Sequence, residues 1–199
     1  MKKIKDKLIT IYPQLIFLIV TFCIFMPSSL FLGNIDQFAV GFAALIPLLM
    51  AASLITAAVV ILIGLIVPKK ICNIYAAVIF GGALAAYVQG NFLNPDFGVL
   101  NGRQIQWSQF KVNGIISTVV WIVLIVVPPV IVCFKKDIMT NIIKWGSLFL
   151  SSIQVVTLVV LIVSSKRSVD YSYVVTKNDE FALSSQGNVV VFIVDTLDN

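Results

Sequence analysis

The stretch that decides the fold is residues 114–134, which read GIISTVVWIVLIVVPPVIVCF. Its 21 residues include no charged side chain. A helix of about 20 predominantly apolar residues crosses the hydrocarbon core of a bilayer, so this stretch predicts a transmembrane helix. Pro128 and Pro129 donate no backbone hydrogen bond, and they predict a kink near the end of that helix.

Four further stretches of the chain have a comparable length and composition. They are 8–32, 38–67, 71–88 and 143–163. Over all 199 residues, 59% are hydrophobic and 12% are charged, whereas soluble domains average about 25% charged residues. Residues 1–164 are therefore predicted to form an all-α polytopic membrane domain of five transmembrane helices, with the lipid bilayer as its partner.

The distribution of basic residues predicts the orientation of the five helices. Nine lysines lie on the side of the N-terminus: Lys2, Lys3, Lys5, Lys7, Lys69, Lys70, Lys135, Lys136 and Lys144. Five basic residues lie on the other side: Arg103, Lys111, Lys166, Arg167 and Lys177. Because lysine and arginine favour cytoplasmic loops, the prediction is a multi-pass protein of the cytoplasmic (cell) membrane with its N-terminus inside and its C-terminus extracytoplasmic. Small clusters beside spans are not a nucleic-acid footprint, so no nucleic-acid partner is predicted.

The interior of the predicted spans is poor in reactive groups. The chain has no histidine, which excludes histidine-based zinc sites and Ser-His triads within it. No Asp, Glu or Arg lies inside a span, which argues against a proton-coupled transporter or a charge-lined channel. Three polar residues are instead predicted to form interhelical hydrogen bonds: Gln14, Asn73 and Gln154. The three cysteines are predicted to be small buried side chains without disulfides: Cys23, Cys72 and Cys133.

Two local features outside the charge pattern also carry predictions. The small residues Gly81 and Ala85, and likewise Gly82 and Ala86, are four apart, a spacing that allows close helix packing within the bundle. The connection 89–113 is dense in aromatic residues and is predicted to lie in the headgroup region. An alternative is that this loop holds a lipid substrate, with its basic residues near a phosphate: Arg103 or Lys111.

The end of the chain differs from everything before it. After a polar linker over 165–187, residues 188–199 read NVVVFIVDTLDN. Six consecutive apolar residues followed by Asp195 are typical of a buried parallel strand, and ligands gather at the carboxyl ends of such strands. A lone strand cannot bury itself. We therefore expect 188–199 to be the first strand of a truncated α/β domain, and the chain to be the membrane part of a larger protein.

The pattern of an asparagine, a hydrophobic strand and an aspartate resembles the opening strand of the sulfatase/alkaline-phosphatase superfamily. Five spans, an outer linker and this strand are also similar to the architecture of lipoteichoic-acid synthases and lipid-A phosphoethanolamine transferases. The resemblance implies an extracytoplasmic metal-dependent hydrolase or phosphotransferase acting on sulfate or phosphate esters, of envelope lipids or glycans. It implies that Asp195 is the first ligand of a divalent metal ion, namely zinc, calcium or manganese, in the full-length parent.

The residues after Asp195 depart from the family pattern. Thr196 stands where family members often have a second acid, which puts sulfate-ester specificity in doubt, and Asp198 is expected to be a solvated or capping acid. One carboxylate cannot hold a catalytic ion, which typically has about three protein ligands, so these 199 residues alone are expected to bind no metal and to be inactive. The alternative is a complete small five-span membrane protein without catalysis, such as a transport accessory, a scaffold or a channel subunit.

Overall fold

The computed structural model describes residues 2–35, 38, 40–95 and 107–165. These residues contain five helices that are long and apolar enough to cross a membrane, and no strand. In chain order the five spans are Ile4–Gly33, Phe42–Ile66, Lys69–Leu93, Trp107–Phe134 and Lys136–Ser164. The prediction of five membrane-spanning helices is confirmed at this level, and the predicted strand 188–199 lies outside the described residues.

The first span is a helix interrupted by a wider turn. It consists of α1 (Lys2–Leu18), a π-helical segment (Ile19–Phe25) and α2 (Met26–Gly33). Pro27 follows the segment and has no N–H, so the carbonyl of Cys23 loses its usual partner four residues on. The N–H of Met26 bonds instead to the carbonyl of Thr21, five residues back, which is the π-helical pattern.

The other four spans carry short 3-10 or π segments at their ends. The α-helices are α3 (Ile46–Ile66), α4 (Cys72–Val88), α5 (Lys111–Phe134) and α6 (Lys136–Ser164). The 3-10 segments are Phe42–Leu45, Lys69–Ile71 and Trp107–Phe110, and a second π segment is Gln89–Leu93.

Helix ends differ from the sequence prediction by several residues. The third span continues into the predicted loop 89–113, the fourth begins at Trp107, and the fifth begins at Lys136 rather than near residue 143. Hydropathy locates the apolar middle of a helix, whereas polar residues at its ends continue the same backbone hydrogen bonding. Both prolines of α5, Pro128 and Pro129, lie within its helical bounds.

The first and third spans form the centre of the bundle. Half of the residues in the most apolar stretch of each are buried, compared with 11–17% of those in the other three spans. These two spans run in the same direction, with Asp6 bonded to Lys69 at one end and the rings of Phe17 and Phe80 5.8 Å apart further along. One core cluster joins them to the fourth and fifth spans, and its buried members are Phe17, Ala77, Phe80, Ala83, Val132 and Ile143.

The outer surface of the bundle is apolar. Large hydrophobic side chains on the second, fourth and fifth spans are widely exposed, among them Leu54 (69%), Val119 (54%) and Phe149 (66%). Soluble monomers rarely expose contiguous apolar patches larger than a few hundred Å². This surface is consistent with lipid as the surrounding solvent.

The two ends of the bundle differ in chemistry. We call one the basic end, because these described residues gather there: Lys5, Lys7, Lys69, Lys70, Lys135 and Lys136. The other is the distal end, where the first, third and fifth spans finish at Gly33, Leu93 and Ser164. Helix α6 starts at the basic end and has 29 residues, a length of about 43 Å at 1.5 Å per residue. Ser165 therefore lies at the end opposite the N-terminus.

The cysteines agree with the prediction in part. Cys23 and Cys72 are buried, as expected for small apolar side chains. Cys133 is exposed on the surface of α5. All three are free thiols, and Cys23 Sγ lies 3.4 Å from the hydroxyl of Thr56.

Candidate functional site

The residue singled out as a metal ligand, Asp195, lies outside the described residues, as do residues 166–199 in general and Arg103. Within 2–35, 38, 40–95 and 107–165, no group of three or more His, Cys, Asp or Glu side chains is placed to hold a metal ion. The described residues instead form two sets of uncharged polar groups. One is a pocket at the distal end, and the other is a row of buried side chains inside the bundle.

The distal pocket lies where the end of the first span meets the π segment of the third span. It has a volume of about 390 Å³, within the roughly 300–1,000 Å³ typical of ligand pockets. Gly90 permits this approach, because a Cβ added there would lie 2.8 Å from Cε of Met26. The polar residues that line the distal pocket are Ser29, Asn34, Asn91 and Asn94.

Two side-chain carbonyl oxygens of the distal pocket, those of Asn34 and Asn91, are free to accept hydrogen bonds. The amide nitrogen of Asn34 donates to the carbonyl of Leu30 at 2.9 Å, and that of Asn91 donates to Tyr87 at 2.8 Å. Neither side-chain oxygen accepts a hydrogen bond from the described residues. An uncharged pocket with free carbonyl oxygens suits a ligand that donates hydrogen bonds, such as a group bearing hydroxyls.

A chain of side-chain hydrogen bonds supports one wall of the distal pocket. Nε2 of Gln89 donates to Oδ1 of Asn94 at 3.0 Å, and Oε1 of Gln89 accepts from the indole N–H of Trp121 at 3.1 Å. The bond to Trp121 ties the third span to the fourth. The π segment is therefore held at its position by a neighbouring helix.

Ser165, the last residue that the structure describes, lies at the distal end, where this pocket also lies. Thr21 and Gln154 are hydrogen-bonded across the two parallel helices and are 133 residues apart. Leu32 is also 133 residues before Ser165, so Ser165 lies about level with Leu32 near the end of the first span. Lys111 is exposed at the start of α5 at the same end.

The polar seam is a row of buried side chains where the first span packs on the fifth. Its members are Gln14, Thr21 and Ser28 on the first span and Ser147, Ser151 and Gln154 on the fifth, all at most 5% exposed. Thr21 donates to Oε1 of Gln154 at 3.1 Å, and Nε2 of Gln154 lies 3.0 Å from the same hydroxyl. Thr21 and Gln154 are the pair of this seam that bonds between helices. Ser151 donates to the carbonyl of Ser147 in its own helix, and the hydroxyls of Ser28 and Ser147 have no partner among the described residues.

The spacing along the seam is the signal that sequence reasoning missed. Residues 14, 21 and 28 are seven apart, as are 147 and 154. A seven-residue repeat keeps one face of a helix against a parallel partner over several turns. In the first span this repeat runs through the π-helical segment Ile19–Phe25, so the seam has the residue spacing of a coiled-coil contact without its regular helix geometry.

The three predicted interhelical partners have different outcomes. Gln154 forms the predicted bond to another helix. Gln14, with its amide nitrogen turned toward the backbone, donates to the carbonyls of Thr10 at 2.7 Å and Ile11 at 3.2 Å in its own helix. Asn73 makes no side-chain hydrogen bond within the described part of the chain. The prediction is confirmed for Gln154 and wrong for Gln14, whose bonds stay within α1. For Asn73 it stays a prediction.

The predicted packing role of the small residues is clear at Gly81. A Cβ there would collide with the carbonyl oxygen of Leu124 and lie 3.0 Å from Cα of Ile125. Ala85 and Ala86 are also buried, whereas a Cβ at Gly82 would meet nothing within 4 Å. Close contact within the bundle therefore depends on the Gly81 face of α4.

Comparisons with known proteins add no further identification: no family model, no curated protein and no solved structure matches the chain.

Proposed function

We propose that the chain is the membrane-anchoring N-terminal region of an extracytoplasmic, metal-dependent sulfatase-like hydrolase or phosphotransferase. Its substrates are sulfate or phosphate esters of envelope lipids or glycans. The observation that carries this proposal is that Ser165 lies at the end of the bundle opposite the lysine-rich one. With the basic end in the cytoplasm, as the positive-inside rule favours, the strand pattern ending at Asp195 follows on the extracytoplasmic side.

The distal pocket supports the proposal from the membrane side. Free oxygens of Asn34 and Asn91 suit the hydroxyls of a glycerol or sugar headgroup. They lie at the end of the bundle where the segment after Ser165 begins. In this proposal the anchor binds the alcohol part of a lipid or glycan, and Lys111 adds a positive charge beside it.

The metal ion of the proposal requires residues beyond those described. Asp195 is the residue that would hold it, at the end of the strand pattern. When bound, a divalent ion would balance the charge of the phosphate or sulfate group and activate the nucleophile. The described spans would contribute anchoring, and the distal pocket would orient the substrate alcohol.

Two neighbouring aspartates allow a direct test in the protein expressed from its whole open reading frame. We expect Asp195→Ala to lower the hydrolysis of nitrophenyl phosphate or nitrophenyl sulfate by about 100-fold or more, since loss of a supporting outer ligand alone costs about 10–100-fold. Asp198→Ala is the matched control and is expected to keep the activity. Activity lost to a chelator should return with zinc, calcium or manganese.

Three results would contradict the proposal. The first is a reading frame that ends after Asn199, and the second is a frame that continues without motifs rich in His and Asp. The third is equal hydrolytic activity of the Asp195→Ala and Asp198→Ala variants of the whole protein. Any of these would favour a five-span membrane protein without catalysis.

A further inference from the structure

A second polar pocket lies at the basic end, far from the distal one. The first turns of α1, the start of the third span and the start of α6 surround it, and its volume is about 380 Å³. Four lysines line it: Lys7, Lys69, Lys70 and Lys136. We call this the basic pocket.

The charges of the basic pocket do not cancel. Nζ of Lys69 lies 2.8 Å from the carboxylate of Asp6, and Nζ of Lys7 donates to the carbonyl of Leu65 at 2.8 Å. Asp6 is the only acidic residue among the described lining residues. Lys70 and Lys136 are exposed and make no ion pair within the described ranges. Four ammonium groups against one carboxylate leave a net positive charge of three.

One helix start adds to this positive field. Helix α6 begins beside the pocket at Lys136 without a side-chain hydrogen bond at its N-cap, and Asp137 lies in its first turn. The N-terminal turn of a helix has free N–H groups and a partial positive charge, and it favours anions. Asn73, in the first turn of α4, lines the pocket with an amide that donates to none of the described residues.

The surroundings of the basic pocket are those of a lipid headgroup. Its lysines directly border the apolar third and fifth spans. A mostly apolar groove lies between α1, α3 and α6, and it is lined by Leu8, Tyr12, Leu15, Ile61, Lys144 and Leu148. This groove has a volume of about 500 Å³. A positively charged pocket at the end of a bundle with an apolar outer surface fits an anion that carries a hydrocarbon chain.

We propose that the basic pocket binds the phosphate of an anionic phospholipid from the leaflet at the basic end. Lys70 and Lys136 form the ion pairs with the phosphate, and Asn73 donates a hydrogen bond to it. An acyl chain of the same lipid lies along the apolar outer surface of the bundle. This site is separate from the proposed catalysis, which concerns the opposite end of the protein, so the two proposals succeed or fail independently.

The test compares lipid binding by the purified full chain and three variants in an uncharged detergent. Native mass spectrometry titrates each protein with phosphatidylglycerol and with phosphatidylcholine carrying the same acyl chains. We expect tighter binding of phosphatidylglycerol, weakened about thirtyfold in Lys70→Gln/Lys136→Gln by the loss of two lysine–phosphate attractions. Lys135→Gln, at an exposed lysine of the basic end that does not line the pocket, keeps the affinity. Lys70→Arg/Lys136→Arg keeps it as well, because both charges remain.

Several outcomes would overturn the proposal. They are equal binding of the two lipids, an unchanged affinity in the double glutamine variant, or an equal loss in Lys135→Gln. Glycerol phosphate distinguishes a lipid from a soluble phosphate, because a site for free phosphate would bind it as tightly as phosphatidylglycerol. If the double glutamine variant is less thermostable than the wild type, the lipid affinity of the double arginine variant decides between lost folding and lost binding. An arginine variant with restored stability but without restored binding counts against the site.

Discussion

At the scale of single residues, the pair Thr21 and Gln154 joins two helices through hydrogen bonds inside the membrane. Both side chains are at most 1% exposed, so neither has water as an alternative partner. Hydrogen bonds between membrane helices average about 0.6 kcal/mol and reach about 1.7 kcal/mol. The seam therefore contributes modest stability and fixes which faces of the first and fifth spans meet.

A double-mutant cycle measures this pair. We expect Thr21→Val and Gln154→Leu to show a coupling of about 0.6–1.7 kcal/mol in the free energy of unfolding, measured by denaturation in mixed micelles. Thr157→Val changes an exposed threonine on the same helix and is expected to alter stability little. Additive effects of Thr21→Val and Gln154→Leu would show that the two side chains do not stabilise each other.

At the scale of elements, the packing of α4 on α5 depends on two residues from different helices. The carbonyl of Leu124 lies against Gly81. In a regular helix that carbonyl would accept from the N–H of residue 128, which is Pro128 and has no N–H. The proline thus frees a carbonyl of α5 at the place where glycine lets α4 come close.

The two adjacent glycines of α4 give a matched comparison. We expect Gly81→Ala to destabilise the bundle by about 1–3 kcal/mol, because the methyl group meets backbone atoms that must shift. Gly82→Ala introduces the same group into open space and is expected to have little effect or to stabilise the helix slightly. Both are measured as changes in the unfolding free energy in micelles. Equal effects of the two substitutions would contradict the close contact.

The role of Pro128 predicts that the two helices are coupled. Pro128→Ala supplies an N–H to the carbonyl of Leu124 and draws it back into α5. The cost of Gly81→Ala is therefore expected to be smaller by at least about 0.5 kcal/mol in the Pro128→Ala background. Pro13→Ala, a helix-internal proline of α1, serves as the control background and should leave that cost unchanged. An unchanged cost in the Pro128→Ala background would refute the coupling.

At the scale of the whole molecule, an odd number of spans separates two chemically different ends. The basic end has the lysine-lined pocket, and the distal end has the uncharged pocket and the start of the C-terminal segment. In a bilayer crossed by these five helices, the two ends lie at opposite membrane surfaces, and Ser165 lies at the surface opposite the lysines of the basic end.

Labelling of engineered cysteines tests this arrangement. In a background with Cys23, Cys72 and Cys133 replaced by alanine, we expect Ser184→Cys to react in intact cells with a thiol reagent that does not cross membranes. Lys5→Cys, at the basic end, is expected to react only after the cells are permeabilised. The reverse pattern would invert the orientation, and labelling of both in intact cells would mean that the chain does not cross the membrane as five spans.

Much of the element-level fold was predictable from the sequence, and much less of the packing. The apolar stretches located all five spans, because a hydrophobic run is recognisable without knowing its neighbours. Their ends were not located, since residues such as Phe92 and Trp107 are helical or 3-10 in the structure although their sequence suggests a loop. Of the candidate site residues, Lys111 is described at the predicted end of the bundle, while Asp195 and Arg103 remain predictions.

The sequence by itself determined the class of the protein, because each span has the length and apolarity that a bilayer requires, and these are local properties. Tertiary structure alone decided which helices are central. The third span is the least apolar of the five and is half buried, whereas the second and fourth are the most apolar and are 11% buried. Lipid solvates apolar side chains as well as a protein interior does, so burial follows small residues and hydrogen-bonding partners. Those depend on which helix faces meet, as at Gly81 with Leu124 and at Thr21 with Gln154.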